Sequence, residues 1–208
     1  MLVLGSLLAV LITALPLVGI NKQKLIPLIE DKFVVANLAA NVPWSYDECL
    51  WGLLYMAAIW TSVLLMKRKF RMGMTVLVVA QIVIIQATVL HFTPKIEAYS
   101  QRSAIDFYKT FEGKNVYVQP VGYKSYANLF YTKKTAATDS NYISIRHDDK
   151  GKEVQPEANS DWLMNGKTDK PVYFICKIMD ADKLRSKPQL TEIGGSNGFA
   201  FFKRIDTK

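Results

Sequence analysis

The stretch CLWGLLYMAAIWTSVLLMKRKFRMGMTVLVVAQIVIIQATVL, Cys49–Leu90, consists of two apolar runs separated by the link KRKFR, Lys67–Arg71. A helix rises about 1.5 Å per residue, so roughly 20 apolar residues cross a hydrocarbon layer about 30 Å thick. Both runs, Cys49–Met66 and Met72–Leu90, reach that length. A third, LVLGSLLAVLITALPLVGI at Leu2–Ile20, stands upstream. Each could in principle be a buried core helix, but the remaining sequence is too small to wrap three of them.

Charge follows the same division. There is none from Met1 to Asn21 or between Glu48 and Lys67, and between Arg71 and Lys95 only His91 could carry any. Beyond Lys95 charges never thin out in that way. The chain therefore reads as a membrane α-helical anchor of three transmembrane helices plus a C-terminal soluble α/β domain with a small sheet. The transmembrane region covers 1–93, with spans at about 2–20, 49–66 and 72–90, and the domain covers 94–208. A signal peptide is the alternative for the first span. It lacks a positive n-region, and its apolar stretch exceeds a typical h-region, so a retained helix is expected.

The link at Lys67–Arg71 is short and densely basic, which places it in the cytoplasm because cationic loops resist translocation. The N-terminus is then cytoplasmic, the connection from Asn21 to Glu48 lies outside, and the third span delivers the chain outside again at Thr93. Trp44, Tyr46 and Trp51 fall at the outer mouth of the second span, where an interfacial aromatic belt is expected, beside Asp47 and Glu48. Within the outer connection, the apolar spacing of Ile26, Leu28, Ile29, Phe33, Val34 and Leu38 fits either a helix lying on the membrane or a packed inter-span connection.

The net charge of +8 is spread along the chain, with seven Lys/Arg against four Asp/Glu up to Phe92 and nineteen against fourteen beyond it. No dense basic run exceeds Lys133 and Lys134 in the domain, so the surplus serves solubility or attraction to anionic headgroups and does not indicate a nucleic-acid partner. Cys49 and Cys176 have no metal-motif spacing and read as free packing residues.

In the domain, Ala104–Phe111 has helical spacing with Gly113 as a stop signal. Asn115–Val121 reads as a strand, and Tyr123–Tyr131 returns to helical spacing. A polar tract from Lys133 to Asp161 follows, either functional or mobile, with a short strand expected at Tyr142–Ile145. DWLMNG, Asp161–Gly166, is one or two helical turns and Pro171–Met179 the strongest strand. Asp180–Ser186 looks helical, Leu190–Ile193 a short strand, Gly194–Gly198 a tight turn, and Phe199–Ile205 a final strand. Strands alternating with helices indicate a sheet carrying helices on at least one face.

Chemistry is sparse. With only His91 and His147, no Ser-His-Asp grouping assembles and no metal site is expected. GGSNG at Gly194–Gly198 lacks the Lys and following helix of a phosphate-binding loop, and no cofactor is implied. Asp47 and Glu48 could supply a general base to a lipid-linked substrate. Their simpler reading is an acidic first turn of the second span, favoured by the helix dipole. Tyr123, Lys124 and Tyr126 form a polar aromatic cluster suited to a sugar or phosphate, or else to core packing with a snorkelling lysine.

The segments VYVQPVGYKSYANLFY at Val116–Tyr131, DWLMNG at Asp161–Gly166, KPVYFICKI at Lys170–Ile178 and GFAFFKR at Gly198–Arg204, following apolar spans, resemble the C-terminal portion of bacterial GT-C glycosyltransferases. The similarity is to glycosyltransferase family 39, with the protein O-mannosyltransferases and the lipid A aminoarabinose transferase, and it covers most of the chain from about Leu2. It implies transfer of a sugar from a polyprenyl-phosphate donor to an acceptor outside the cytoplasm. The chain's partners would then be membrane lipid and that donor, with localisation in the bacterial inner membrane and a periplasmic domain. The family's catalytic carboxylate lies in the first outer loop, ahead of most spans. Asp47 and Glu48 precede the penultimate span, so the catalytic role is not carried onto them, and no catalytic residue is assigned. The expectation is a part of a longer or split enzyme, inactive alone and possessing a partner in the missing N-terminal transmembrane portion. The alternative is a non-catalytic, membrane-tethered binding or assembly module.

Orientation yields the first test. A phosphatase reporter fused after Lys208 is expected to be active, and one inserted in Lys67–Arg71 inactive; the reverse pattern overturns the assignment.

Overall fold

The computed structural model describes residues 2–135, 137–145 and 156–205. Its contacts divide the chain into two units, Met1–Ile29 with Ala40–Ala98, and Glu30–Ala39 with Tyr99–Lys208.

The first unit contains α1 (Leu2–Ile20), the short α2 (Lys22–Leu25), and, beyond α3 (Lys32–Leu38, which packs with the second unit), α4 (Leu50–Arg68) and α5 (Phe70–Ala98). Among the described residues, three helical segments are long and apolar enough to cross a membrane: Val3–Ile20, Tyr46–Arg68 and Phe70–Ala98. Leu4, Leu7, Leu53, Leu54, Val78 and Ile82 are exposed. Apolar residues exposed in this way suit lipid rather than water. Small residues bring the helices together. A Cβ at Gly52 would stand 2.1 Å from Thr13 Oγ1 and 2.5 Å from the Ala9 carbonyl oxygen, so α1 and α4 cross at a distance only glycine permits. The Tyr55 hydroxyl donates to Gln81 Oε1 at 3.0 Å, tying α4 to α5.

Two expectations about these helices change. Lys67–Arg71 is not a free link: α4 continues through Arg68 and α5 starts at Phe70, leaving Lys69 as the junction. The third helix does not end at Leu90 but runs on through HFTPKIEA to Ala98. Its 29 residues span about 43 Å, more than the hydrocarbon layer requires. The apolar pattern stops at Leu90, whereas the backbone ladder does not depend on that pattern and continues.

The second unit is built on a four-stranded sheet of β1 (Tyr117–Val121), β2 (Val172–Lys177), β3 (Leu190–Ser196) and β4 (Phe199–Arg204) in the order β1-β2-β4-β3. β1 and β2 are parallel, with Val118 opposite Tyr173, while β4 runs antiparallel to both β2 and β3. Pro120 is tolerated because β1 is an edge strand and needs no donor on its open side. The helices are α6 (Arg102–Lys109), α7 (Ala127–Tyr131), α8 (Ser140–Ile145), α9 (Pro156–Asn165) and α10 (Ala181–Arg185).

Alternation along β2 sends Phe174 and Cys176 to one face and Ile175 to the other. The first face packs against Tyr142, Leu163, Ala181 and Leu184, and the second against Ala104, Phe107 and Tyr108. Helices therefore cover both sides of the sheet. Burial pushes the Cys176 thiol up to about 12, with Asp180 adding to it, which leaves it protonated and inert near neutrality.

Several local expectations are corrected. Tyr142–Ile145 belongs to a helix, not a strand. The Tyr142 hydroxyl donates to Gln119 Oε1 at 2.6 Å and accepts from Asn128 Nδ2 at 2.8 Å, a buried network that anchors α8 and α7 against β1. The turn expected over Gly194–Gly198 is confined to Asn197 and Gly198, both at positive φ, as a two-residue hairpin requires. Gly194 and Gly195 continue β3, with a register shift between Glu192 and Gly194. Helix α3 forms within the connection whose apolar spacing fits a helix, and it packs in the second unit with Phe33 edge-on to Phe199 at 5.3 Å. Part of the Lys133–Asp161 tract, including His147, lies outside the described residues.

Within the described part of that tract, Asp139 is buried and accepts from Lys170 Nζ at 2.6 Å, with Lys134 Nζ at 3.5 Å. Burial alone would raise this carboxyl, but Lys170, Thr138 and Lys134 overcome it and hold Asp139 below its ordinary range. The depressed value adds stability that is present above the unfolded-state pKa and is lost as pH falls through the folded one. Replacing Lys170 by Met is expected to cost about 1–3 kcal/mol at neutral pH and to move acid unfolding of this unit to higher pH. Thermal melts of the full chain across pH check both.

Candidate functional site

Two clusters merit description, one in each unit. In the first unit, Ser45 caps the 3₁₀ turn Tyr46–Cys49 ahead of α4. Its Oγ accepts from the Asp47 amide at 3.4 Å, while its own amide donates to Glu48 Oε2 at 3.4 Å, a reciprocal capping box. The two neighbouring acids then diverge. Asp47 is exposed, and its Oδ2 accepts from the Ser45 hydroxyl at 3.3 Å. Glu48 is 8% exposed and reaches α5, where Oε1 contacts His91 Nε2 at 2.9 Å and accepts from the Lys95 ammonium.

His91 and Lys95 lie four residues apart on one helix and so share a face. Aromatic rings close around them. Trp44 stacks on Phe92 at 5.9 Å and lies 4.9 Å beneath the Lys95 ammonium, while Trp51 sits 6.2 Å from the His91 ring. Trp44 and Trp51 thus pack inward on α5, and Tyr46 is the exposed member of the expected belt. Sequence reasoning read Glu48 as a first-turn acid and did not find His91 and Lys95 as its partners. A cation and a histidine spaced i, i+4 at the end of an apolar span were the available signal. Chemically, a carboxylate clasped by an ammonium is a strong tie between two helices and a poor general base, since its lone pairs are already committed.

In the second unit, the loop after β1 carries the residues expected to bind substrate. Gly122 opens it at φ +79°, and a Cβ there would stand 2.7 Å from Asp180 Oδ2, so both conformation and space demand glycine. Tyr123 turns inward, and its hydroxyl meets that of Tyr108 at 3.0 Å. Burial pushes Tyr123 up to about 12 and Tyr108 higher still, so both remain neutral phenols near neutrality. Lys124 is exposed and its ammonium lies 5.6 Å from the ring of Tyr126, itself half exposed. Tyr123 and Lys124 line a cleft of about 550 Å³ bounded by α3, α6 and the loop; Tyr126 does not. Lys124 thus adjoins both tyrosines, sharing the cleft with Tyr123 and lying over the ring of Tyr126. Among the described residues, no group of three or more His, Cys, Asp and Glu side chains could hold a metal ion.

No protein-family model matches the chain, and no curated protein matches it in sequence. The crystal structure of ArnT from Cupriavidus metallidurans in the apo state matches with TM-score 0.53 and 10% identity, covering 98% of this chain and 36% of that one. The same protein bound to undecaprenyl phosphate matches with TM-score 0.54 and 11% identity, covering 99% and 37%. The chain thus spans about a third of the length of ArnT. At this identity the likeness is one of fold, with three apolar helices and a small mixed-sheet domain as in part of a GT-C protein.

The Glu48 cluster yields a double-mutant test. Glu48→Gln and Lys95→Met are each expected to destabilise the detergent-solubilised chain. Their effects should be coupled by about 0.5–3 kcal/mol, because each leaves the other partner stranded. Asp47→Asn should leave thermal stability nearly unchanged. Additive effects of Glu48→Gln and Lys95→Met would show that the contact is not an energetic tie.

Proposed function

We propose that this chain forms part of an integral-membrane glycosyltransferase that moves a sugar from a polyprenyl-phosphate carrier to an acceptor outside the cytoplasm. The observation that carries the reading is continuity of fold: spans and domain together match ArnT over nearly the whole chain, and ArnT has been crystallised with undecaprenyl phosphate. The spans supply an apolar surface against which a polyprenyl tail can lie, and the basic residues at Lys67–Arg71 support a periplasmic side for the second unit. In this reading the assembly that transfers sugar includes protein beyond this chain, because the chain corresponds to about a third of ArnT. Glu48 does not serve as its base, being committed to Lys95 and His91.

Purified chain in lipid nanodiscs is expected to retain radiolabelled undecaprenyl phosphate about tenfold better than undecaprenol, the scale of one charge-assisted contact. With a labelled polyprenyl-phosphate sugar and a panel of lipid and protein acceptors, it should transfer nothing. Equal retention of phosphate and alcohol would remove the carrier from the proposal and leave a tethered binding module. Turnover by the chain alone would overturn its proposed inactivity and return Asp47 and Glu48 to consideration as the base.

A further inference from the structure

The cleft in the soluble unit has a composition that its packing does not explain. Its wall on one side is α3, brought close to the sheet because Gly198, at φ +84°, has no Cβ to meet Asn37 Nδ2 and Phe33. Its floor is aromatic, with Phe33, Tyr123 and Phe199 contributing. Two cations line it, Lys124 and Lys177, and no acidic residue does among the described residues.

Lys177 is the informative one. It ends β2, is half-buried, and makes no ion pair among the described residues. Its ammonium lies 4.9 Å from the Phe33 ring centre and 6.0 Å from that of Tyr123. Ring faces partly compensate a desolvated ammonium but leave its net charge unneutralised. The neighbouring phenols cannot neutralise it, since burial keeps Tyr123 and Tyr108 protonated.

A second, independent anomaly sits on α3. Asn37 is 3% exposed, and its Oδ1 has no hydrogen-bond partner. The amide orientation is fixed, because Nδ2 donates to the Phe33 carbonyl oxygen at 2.8 Å and a flip would set two acceptors face to face. A buried acceptor without a donor is costly, and native structures carry few. The cleft also opens beyond the carboxyl ends of the parallel strands β1 and β2, the end at which open α/β sheets take up ligands.

We infer that this cleft binds the end of an anionic saccharide. The negative group, phosphate or carboxylate, meets Lys177 and Lys124; a sugar hydroxyl donates to Asn37 Oδ1; and the C–H face of the ring lies on the aromatic floor. Binding here is independent of the transfer reaction proposed above, and requires only the soluble unit's own residues.

The test uses the full chain in phosphatidylcholine nanodiscs, titrated with glucose 1-phosphate, glucuronate, glucose and inorganic phosphate and followed by ligand-observed NMR. Saturable binding of at least one anionic sugar is expected, about tenfold tighter than either glucose or phosphate. Lys177→Gln and Lys124→Gln should each weaken it by about tenfold. Asn37→Ala should reduce the preference for the sugar over bare phosphate, and Lys203→Gln, an exposed cation on β4 outside the cleft lining, should change nothing. Circular dichroism melts identify any variant that fails to fold, and Lys124→Gln, at an exposed loop position, keeps the charge test available if Lys177→Gln does. Competition between glucose 1-phosphate and an octyl-phosphate glucose separates the two sources of the ligand: full displacement assigns recognition to the head alone, while a tail-dependent gain assigns a lipid-linked sugar. Absence of saturation by both anionic sugars, equal affinity for inorganic phosphate, or unaltered binding by folded Lys177→Gln and Lys124→Gln would each overturn the assignment. Undecaprenyl phosphate is not a probe here, so failure of this site and failure of the carrier reading are separate results.

Discussion

In hydrocarbon, a peptide group that finds no partner cannot turn to water, so a chain entering a bilayer must complete its backbone hydrogen bonds within each crossing segment. That constraint makes Leu2–Ile20, Leu50–Arg68 and Phe70–Ala98 helical regardless of individual residue preferences. Side chains are then left to decide only how the helices meet. They do so through small residues and a few polar ties: Gly52 beneath Thr13, Tyr55 against Gln81, and Glu48 bridging to His91 and Lys95. The last tie has a particular dependence on α5 continuing past its apolar stretch, since Lys95 is reached only because the helix does not stop at Leu90.

The soluble unit obeys the opposite logic, because water lets backbone groups pair anywhere and the core decides. Here a sheet of four strands buries both faces, with α8, α9 and α10 on one and α6 and α3 on the other. Covering both faces brings polar groups inside, where they must find partners. Asn128 Nδ2, the Tyr142 hydroxyl and Gln119 Oε1 bond in series, although Asn128 Oδ1 is left without a partner, and Asp139 is answered by Lys170 and Lys134.

The spans, the small sheet and the alternation of elements were legible because each leaves a periodic or compositional mark over many residues. What escaped the sequence was non-local or short. YISI fits strand and helix alike over four residues, and only the Tyr142 hydroxyl's partners near β1 settle it. Asn197-Gly198 is a strong hairpin signal, but the two preceding glycines drew the turn too far back. The apolar spacing of α3 showed that one face needed cover, not what would cover it, and Phe199 lies far along the chain. The partners of Glu48 are 43 and 47 residues away, beyond the reach of any local pattern. Of the residues expected to bind substrate, Tyr123 and Lys124 line the cleft, while Tyr126 lies outside its lining, beside the Lys124 ammonium.

The treatment of charge separates structural from ligand-directed residues. Taking a charge out of water is costly, and a fold that does so usually supplies the opposite charge or strong hydrogen bonds in return. Glu48 and Asp139, both buried, follow this rule, each met by ammonium groups, and so each is explained by folding alone. Lys177 does not: it is half-buried over two rings and faces a cleft lined by a second lysine and no acid among the described residues. Folding could have placed a carboxylate there as it did beside Lys170. Lys177, without an ion pair among the described residues, and the orphan acceptor at Asn37 Oδ1 line the same cleft, and a single anionic saccharide would supply both the negative charge and the donor they lack.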